Sequence, residues 1–371
     1  MAGDMRESEL GRRSVGTVLA AVHVPATLLL FGLGTLAAVP TATIESAEVG
    51  PQQEERPLPR SYHASAVVNG KIYVIGGAGA DNKPVGSVQV YDPATGTWAA
   101  RADMPTPRAL FGASAVGGRI YTIGGTTRGL DKLAVVEAYD TATDTWTRRA
   151  DMPTPRNALS TAVVDGKVYA IGGWGLDRPE GGWESLDPKA LAKDFSTVEA
   201  YDPATDTWAA RADMPTPRSH MTVSAFGGKI YAIGGGVPPR TARSGEYHSQ
   251  IAVYDTATNR WAPGAELPTP RSVLSSSVID GLIYVMGGAN SRGPASSAEE
   301  ILRSLRTVSV VDVYDPASGR WTRDRDLATP RGWFSTSTVN GKVYVVGGRS
   351  LASDGGTDFT FPEIEVYTPA Q

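Results

Sequence analysis

The chain has 371 residues and a formal net charge of −4, with 35 Lys and Arg against 39 Asp and Glu, which excludes the global positive field that nucleic-acid binders use. It contains no cysteine, so disulfides, thiolate nucleophiles and cysteine-ligated metals are excluded together. Its 42 glycines and 26 prolines suit many short strands joined by tight turns.

Residues 1–41 read as a leader. Arg6, Arg12 and Arg13 precede a stretch from Val15 to Val39 that carries no charged residue. That is long enough to cross a bilayer as a helix, and it equally suits a long export signal. Pro25 and His23 weaken the helix, Thr35-Leu36-Ala37 is a tolerable cleavage site, and Arg12-Arg13 is similar to a twin-arginine signal with poor flanks. An unstructured leader is the plain alternative. The expectation is export, or a membrane tether through residues 15–39, with residues 42–371 secreted, periplasmic or membrane-anchored outside the cytoplasm.

From Arg60 onward the chain repeats. Arg60, Arg108, Arg156, Arg218, Arg271 and Arg331 each follow a proline and open a run that ends in a glycine pair. The pairs are Gly76-Gly77, Gly124-Gly125, Gly172-Gly173, Gly234-Gly235, Gly287-Gly288 and Gly347-Gly348. In the first unit a strand from Ala64 to Val68 meets Asn69-Gly70, a dipeptide that accepts the positive φ of a two-residue hairpin. A second strand, Lys71 to Ile75, is almost wholly apolar, as in a sheet covered on both faces. A third strand ends in Tyr91-Asp92, a turn runs to Gly96, and a fourth begins at Trp98. Trp146, Trp208, Trp261 and Trp321 hold the same place in later units. The segment Met104-Pro105-Thr106-Pro107-Arg108 is then a connection, since proline fixes φ and withholds a donor.

Glycine pair, Tyr-Asp turn and tryptophan at these offsets, in a unit of about 48 residues, resemble the kelch repeat, whose period is about 50. The resemblance covers about residues 57 to 371 and implies an all-β fold, a six-bladed kelch β-propeller with four antiparallel strands per blade. The sixth unit ends at Gln371 without a tryptophan strand, so residues 42–49 are expected to complete that blade; a three-stranded sixth blade is the alternative.

Elements common to all units serve the scaffold, and each tryptophan is expected between blades. Residues that vary at equivalent places are free to serve a ligand. The connection from a fourth strand to the next first strand shares a face with the loop between strands two and three. The triplets after the arginines vary on that face and offer Tyr62, His63, Phe111, Asn157, His220 and Trp333. The long insertions of units three to five add Trp174, Tyr247 and His248. Within them, Asp187-Pro188 suits the cap of a short helix reaching Lys193, and Ser297 with Glu300 a capping box ahead of Ile301, Leu302 and Leu305. Arg108, Arg218 and Arg271, with the other arginines, suit either an anion receptor around the mouth or bonds within their own blades.

These features predict a non-catalytic, monomeric propeller that binds a peptide, glycan or partner protein, with no nucleic acid, no cofactor and no metal site. In kelch adaptor domains of animals the same face binds an acidic peptide, so the resemblance points to the same mouth. The alternative is a kelch-fold enzyme acting on a sugar or sugar acid, epimerase- or lyase-like, at that mouth. Other kelch propellers are copper radical oxidases, sialic acid epimerases or thiohydroximate-processing specifier proteins. The copper oxidase needs a cysteine that this chain lacks, and the Glu-x-x-x-Asp-x-x-x-His motif of the specifier proteins does not occur. An acid–base pair for the enzymatic reading is available from Glu180, Glu184, Glu246, Tyr247 and His248.

Overall fold

The computed structural model of the protein describes residues 57–127, 131–176, 192–236, 247–291, 304–351 and 359–370. The chain divides into two compact units, Met1–Gln52 and Gln53–Gln371, and all described residues belong to the second. The leader (1–41), its uncharged stretch (15–39) and the expected closing strand (42–49) lie outside the described residues, as do Glu180, Glu184, Glu246 and Ser297 to Leu302.

The fold is a six-bladed propeller. In blade one, Ala64–Val68, Lys71–Ile75, Val88–Asp92 and Thr97–Arg101 pair antiparallel in chain order. The same four-strand meander recurs within residues 112–148, 160–210, 222–266 and 275–323. Among the described residues blade six has three strands, Ser335–Val339, Lys342–Val346 and Ile364–Tyr367. The hairpin dipeptide behaves as its composition requires: Asn69 and Gly70 sit at φ 51° and 73°.

Because each blade is one sheet thick, its second strand is buried on both faces, and neighbouring blades supply the cover. Tyr73, Ile75 and Val88 pack with Phe111, Ile120 and Tyr139 of the next blade. At the seam, Ile72 and Val74 pack with Val339, Tyr344 and Val346 of blade six. The Ser65 and Ser337 hydroxyls hydrogen-bond at 3.0 Å across the same seam, so the ring is closed. The tryptophans lie at blade boundaries. The Trp146, Trp208 and Trp261 indole N–H groups donate to the carbonyls of Ala102, Ala150 and Ala212 in the preceding blade at 2.8, 3.0 and 2.8 Å.

The insertions differ from expectation. Ala192–Asp194 is a strand paired with Trp174–Leu176, and Leu305–Thr307 a strand paired with Ala289–Ser291. Lys193 and Leu305 are therefore not helical. The caps expected at Asp187-Pro188 and at Ser297 with Glu300 lie outside the described residues. Among the described residues no helix is long and apolar enough to cross a membrane.

Candidate functional site

The segments after the arginines and after the glycine pairs lie side by side. Ser61 pairs with Ala78, Ala109 with Thr126, Asn157 with Trp174, Ser272 with Ala289 and Gly332 with Arg349. The second glycine of each pair donates to the carbonyl of the next blade's arginine. Gly77 reaches Arg108 at 3.0 Å, and Gly348 reaches Arg60 at 3.0 Å to close the circle. A Cβ on Gly347 would lie 2.7 Å from the Arg60 oxygen, so glycine is required by close approach as well as by its φ of 58°.

One residue further on, the chain makes a second circle. Tyr62, Leu110, Ala158, His220, Val273 and Trp333 all adopt left-handed φ between 50° and 57°. Each donates its backbone N–H to the carbonyl of its counterpart in the preceding blade: Leu110 to Tyr62, Ala158 to Leu110, His220 to Ala158, Val273 to His220, Trp333 to Val273 and Tyr62 to Trp333, at 2.7 to 3.1 Å. Left-handed backbone costs a side-chain-bearing residue roughly 1–2 kcal/mol, most for a β-branched one such as Val273. The ring of bonds imposes the conformation, and six side chains with no shared character are thereby displayed around the channel mouth.

These side chains line a cavity of about 110 Å³, with His63, Phe111, Leu159, Met221, Leu274 and Phe334 beneath them. The lower residues pack under the preceding blade's glycine pair, where a Cβ on Gly76 would lie 2.9 Å from Phe111 and one on Gly347 2.8 Å from His63. Phe111 and His63 are thus part of the packing between blades. His63 Nε2 and the Ser335 hydroxyl hydrogen-bond at 2.9 Å across the seam. Burial, with Arg60 nearby, lowers its imidazole to about 3, and burial lowers that of His220 to about 4. Both rings are neutral at physiological pH.

On one side of the mouth the Tyr62 and Trp333 rings stand 5.7 Å apart. The guanidinium of Arg349 lies over both, 5.9 Å from Tyr62 and 5.7 Å from Trp333, and Nη1 donates to the Tyr62 hydroxyl at 3.1 Å. Arg349 was missed in the sequence, although its place just after Gly347-Gly348 is on the face assigned to ligands. On the opposite side, Ser219 Oγ is 3.1 Å from His220 Nδ1, and the Asp194 carboxyl is turned toward the same hydroxyl. Burial raises Asp194 to about 6, with Ser219 offsetting part of the effect.

The remaining expected residues do not reach the cavity. Asn157 is buried and donates to the Asp131 carbonyl at 3.0 Å, while Trp174 packs against Ala158. Tyr247 bridges to Gly236 and bonds Ser291 of blade five; the His248 N–H donates to Gly235. Arg108, Arg218 and Arg271 are buried inside their blades rather than arrayed around the mouth. Arg108 meets Thr122 and Glu137, and Arg271 meets Asp312 and the carbonyls of Thr269, Val285 and Gly287. Bonds within the blade hold these arginines because each blade's connection needs donors for its own carbonyls. Among the described residues no group of three or more His, Asp or Glu side chains is gathered where a metal ion could be held.

Comparison with known proteins agrees with this architecture. The model of the KLHDC2/KLHL20/DRC7 Kelch-repeats domain matches residues 36–211, and the Kelch motif matches 217–268 and 270–327. The chain belongs to the kelch-repeat family. Kelch propellers typically serve as protein-binding scaffolds. Similar relatives include Beta-scruin of Limulus polyphemus, 29% identical over 44% of this chain, and Kelch-like protein 35 of Mus musculus, 27% identical over 49%. Kelch-like protein terF of Aspergillus terreus is 30% identical over 43% of this chain. The matches span 16%, 27% and 35% of those relatives' own lengths. The solved structure of YjhT covers 85% of this chain and 99% of its own at 19% identity, with a TM-score of 0.67, and so shares its fold.

Proposed function

We propose that this kelch propeller is a non-catalytic binding module that takes a peptide or partner protein at the channel mouth. The observation that carries the reading is the ring of six left-handed positions, which spends backbone strain on side chains the scaffold does not specify. The size of the cavity favours a protein partner over an enclosed small molecule. At about 110 Å³ it is smaller than the roughly 150 Å³ that takes a benzene ring and well below the ~300–1,000 Å³ of small-molecule sites. It suits one anchoring side chain, with Tyr62, Trp333 and Arg349 as the polar-aromatic shelf beside it. A glycan laid on that shelf is the other ligand this reading admits.

In this reading the propeller is monomeric and works outside the cytoplasm, secreted or tethered through residues 15–39, on the strength of the uncharged Val15 to Val39 stretch behind three arginines. A peptide and glycan array probed with the full chain and with Trp333→Ala tests the site. Loss of the captured ligands in the variant is expected, and unchanged capture overturns the assignment. One observation favours an enzymatic alternative acting on a sugar: the Asp194 carboxyl and His220, a candidate acid and base, both lie beside the Ser219 hydroxyl at the mouth. Turnover of a monosaccharide that is lost in both Asp194→Asn and His220→Ala would decide for that alternative.

A further inference from the structure

Five of the six Pro-Arg arginines meet a polar side chain on the third strand of their own blade. These are Gln89, Glu137, Glu199, Asp312 and Glu365, at 3.0, 3.1, 2.5, 2.7 and 3.1 Å. They share one register, opposite Val74, Thr122, Ala170, Val285 and Val345 of the second strand. In blades two and three the threonine two residues before the arginine completes a cradle. Thr106 donates to Glu137 Oε1 and Thr154 to Glu199 Oε1, both at 2.8 Å, while the arginine takes the second oxygen. Hydroxyl on one oxygen and guanidinium on the other is a built receptor for one carboxylate.

Blade four keeps the receptor and changes what fills it. Thr216 and Arg218 stand where Thr154 and Arg156 stand, but the register sets Ala252 opposite Ala232, in the place of the acid. Arg218 is 3% exposed. Its Nη1 donates to the Gly234 carbonyl at a long 3.4 Å, and its Nε has no partner. No carboxylate among the described residues pairs with it. Burial lowers this guanidinium as it does the other five, but no carboxylate among the described residues acts on it in the opposing sense, as Glu137, Glu199 and Asp312 do on Arg108, Arg156 and Arg271. A buried cation without a counter-charge is a costly feature to keep.

We propose that Thr216 and Arg218 form a carboxylate-binding site in blade four, receiving from a ligand the group that Glu137 and Glu199 supply from within the chain. Alanine is shorter than glutamate by a methylene and a carboxylate, so the fitting group is a carboxylate on a slim stem. Acetate as a free acid and the side chain of an acidic peptide share that chemistry. The site is separate from the mouth cavity, whose lining does not include Arg218.

The test is thermal unfolding and calorimetric titration of the full chain with sodium acetate, against sodium chloride at matched ionic strength. A second arm uses an acetylated, amidated Gly-Glu-Gly peptide and its Gly-Gln-Gly counterpart. Acetate should raise the melting temperature saturably and chloride should not. Ala252→Glu should raise it without acetate and remove the acetate response. Thr216→Val, which leaves the buried guanidinium in place, should weaken acetate binding about tenfold or more through the lost hydrogen bond. Binding of the Glu peptide but not the Gln peptide assigns the source to a protein chain; acetate alone assigns it to a free acid. An equal acetate response in wild type, Ala252→Glu and Thr216→Val, or none in wild type, overturns the proposal.

Discussion

Removing Glu199 from blade three should destabilise the propeller far more than removing an ordinary surface acid. Arg156 is fully buried and spreads its donors over the carbonyls of Gly172, Thr154 and Ala170 at 2.7, 2.8 and 3.0 Å, with Glu199 at 2.5 Å as its direct ion-pair partner. Glu199→Ala leaves that cation buried and unpaired, a change that typically costs 3–5 kcal/mol. The three carbonyl bonds survive, so the lower end, about 3 kcal/mol, is expected. In a fold of this size that lowers the melting temperature by roughly 4–5 °C. Glu199→Gln keeps one oxygen as an acceptor for Arg156 and turns an amide N–H toward the Thr154 hydroxyl, which can accept it, and should cost about half as much. Differential scanning calorimetry and urea titration of the three proteins measure both steps. A loss within about 0.5 kcal/mol of wild type for Glu199→Ala would show that the Pro-Arg arginines do not depend on their acids, and would remove the physical ground for treating Arg218 as exceptional.

Trp208 packs at a tilt against Tyr201, ring centroids 5.1 Å apart, and donates to the Ala150 carbonyl, whereas the Trp321 indole N–H is buried without a partner. Trp208→Phe should therefore cost about 1 kcal/mol more than Trp321→Phe in urea titrations, and equal costs would contradict the inter-blade bond. The pH profile has two opposed parts. His63 and His220, lowered to about 3 and 4, contribute stability that is present above pH 6.5 and lost as pH falls toward 4. Asp194, raised from 3.8 to about 6, contributes in the other sense: its stabilisation is present below pH 3.8 and lost as pH rises through 6. Asp194→Asn should then match wild type near pH 4 and exceed it by about 1 kcal/mol at pH 8, discounted for partial exposure; an unchanged difference across that range would refute the raised carboxyl.

How much of this was legible depends on which interactions are local. The hairpin dipeptides, the apolar second strands and the glycine pairs could be read because each requirement lies within a few residues. The third-strand residue that faces each arginine was legible too. It stands two residues before the Tyr of the third strand, as in Glu199-Ala200-Tyr201, and a comparison of units would have exposed Ala252 as the departure. The strands at Lys193 and Leu305 were not read because their partners, Trp174–Leu176 and Ala289–Ser291, lie many residues away in the chain.

The mouth is harder, because propensity says nothing at a position whose φ is set by another blade. No local rule places Val273 at φ 52°, yet the N–H it gives to His220 and the carbonyl it offers to Trp333 leave no alternative. Once the ring dictates the backbone, side-chain identity there is released from folding, and Tyr62, His220 and Trp333 are open to selection by a ligand. One residue later the logic reverses. Phe111, Leu159, Met221, Leu274 and Phe334 fill the space under a glycine pair, and His63 replaces an apolar residue only at the seam, where Ser335 can hydrogen-bond it. Two adjacent residues of one triplet thus answer to different constraints, the first to a backbone ring that leaves its side chain unspecified and the second to how the circle closes.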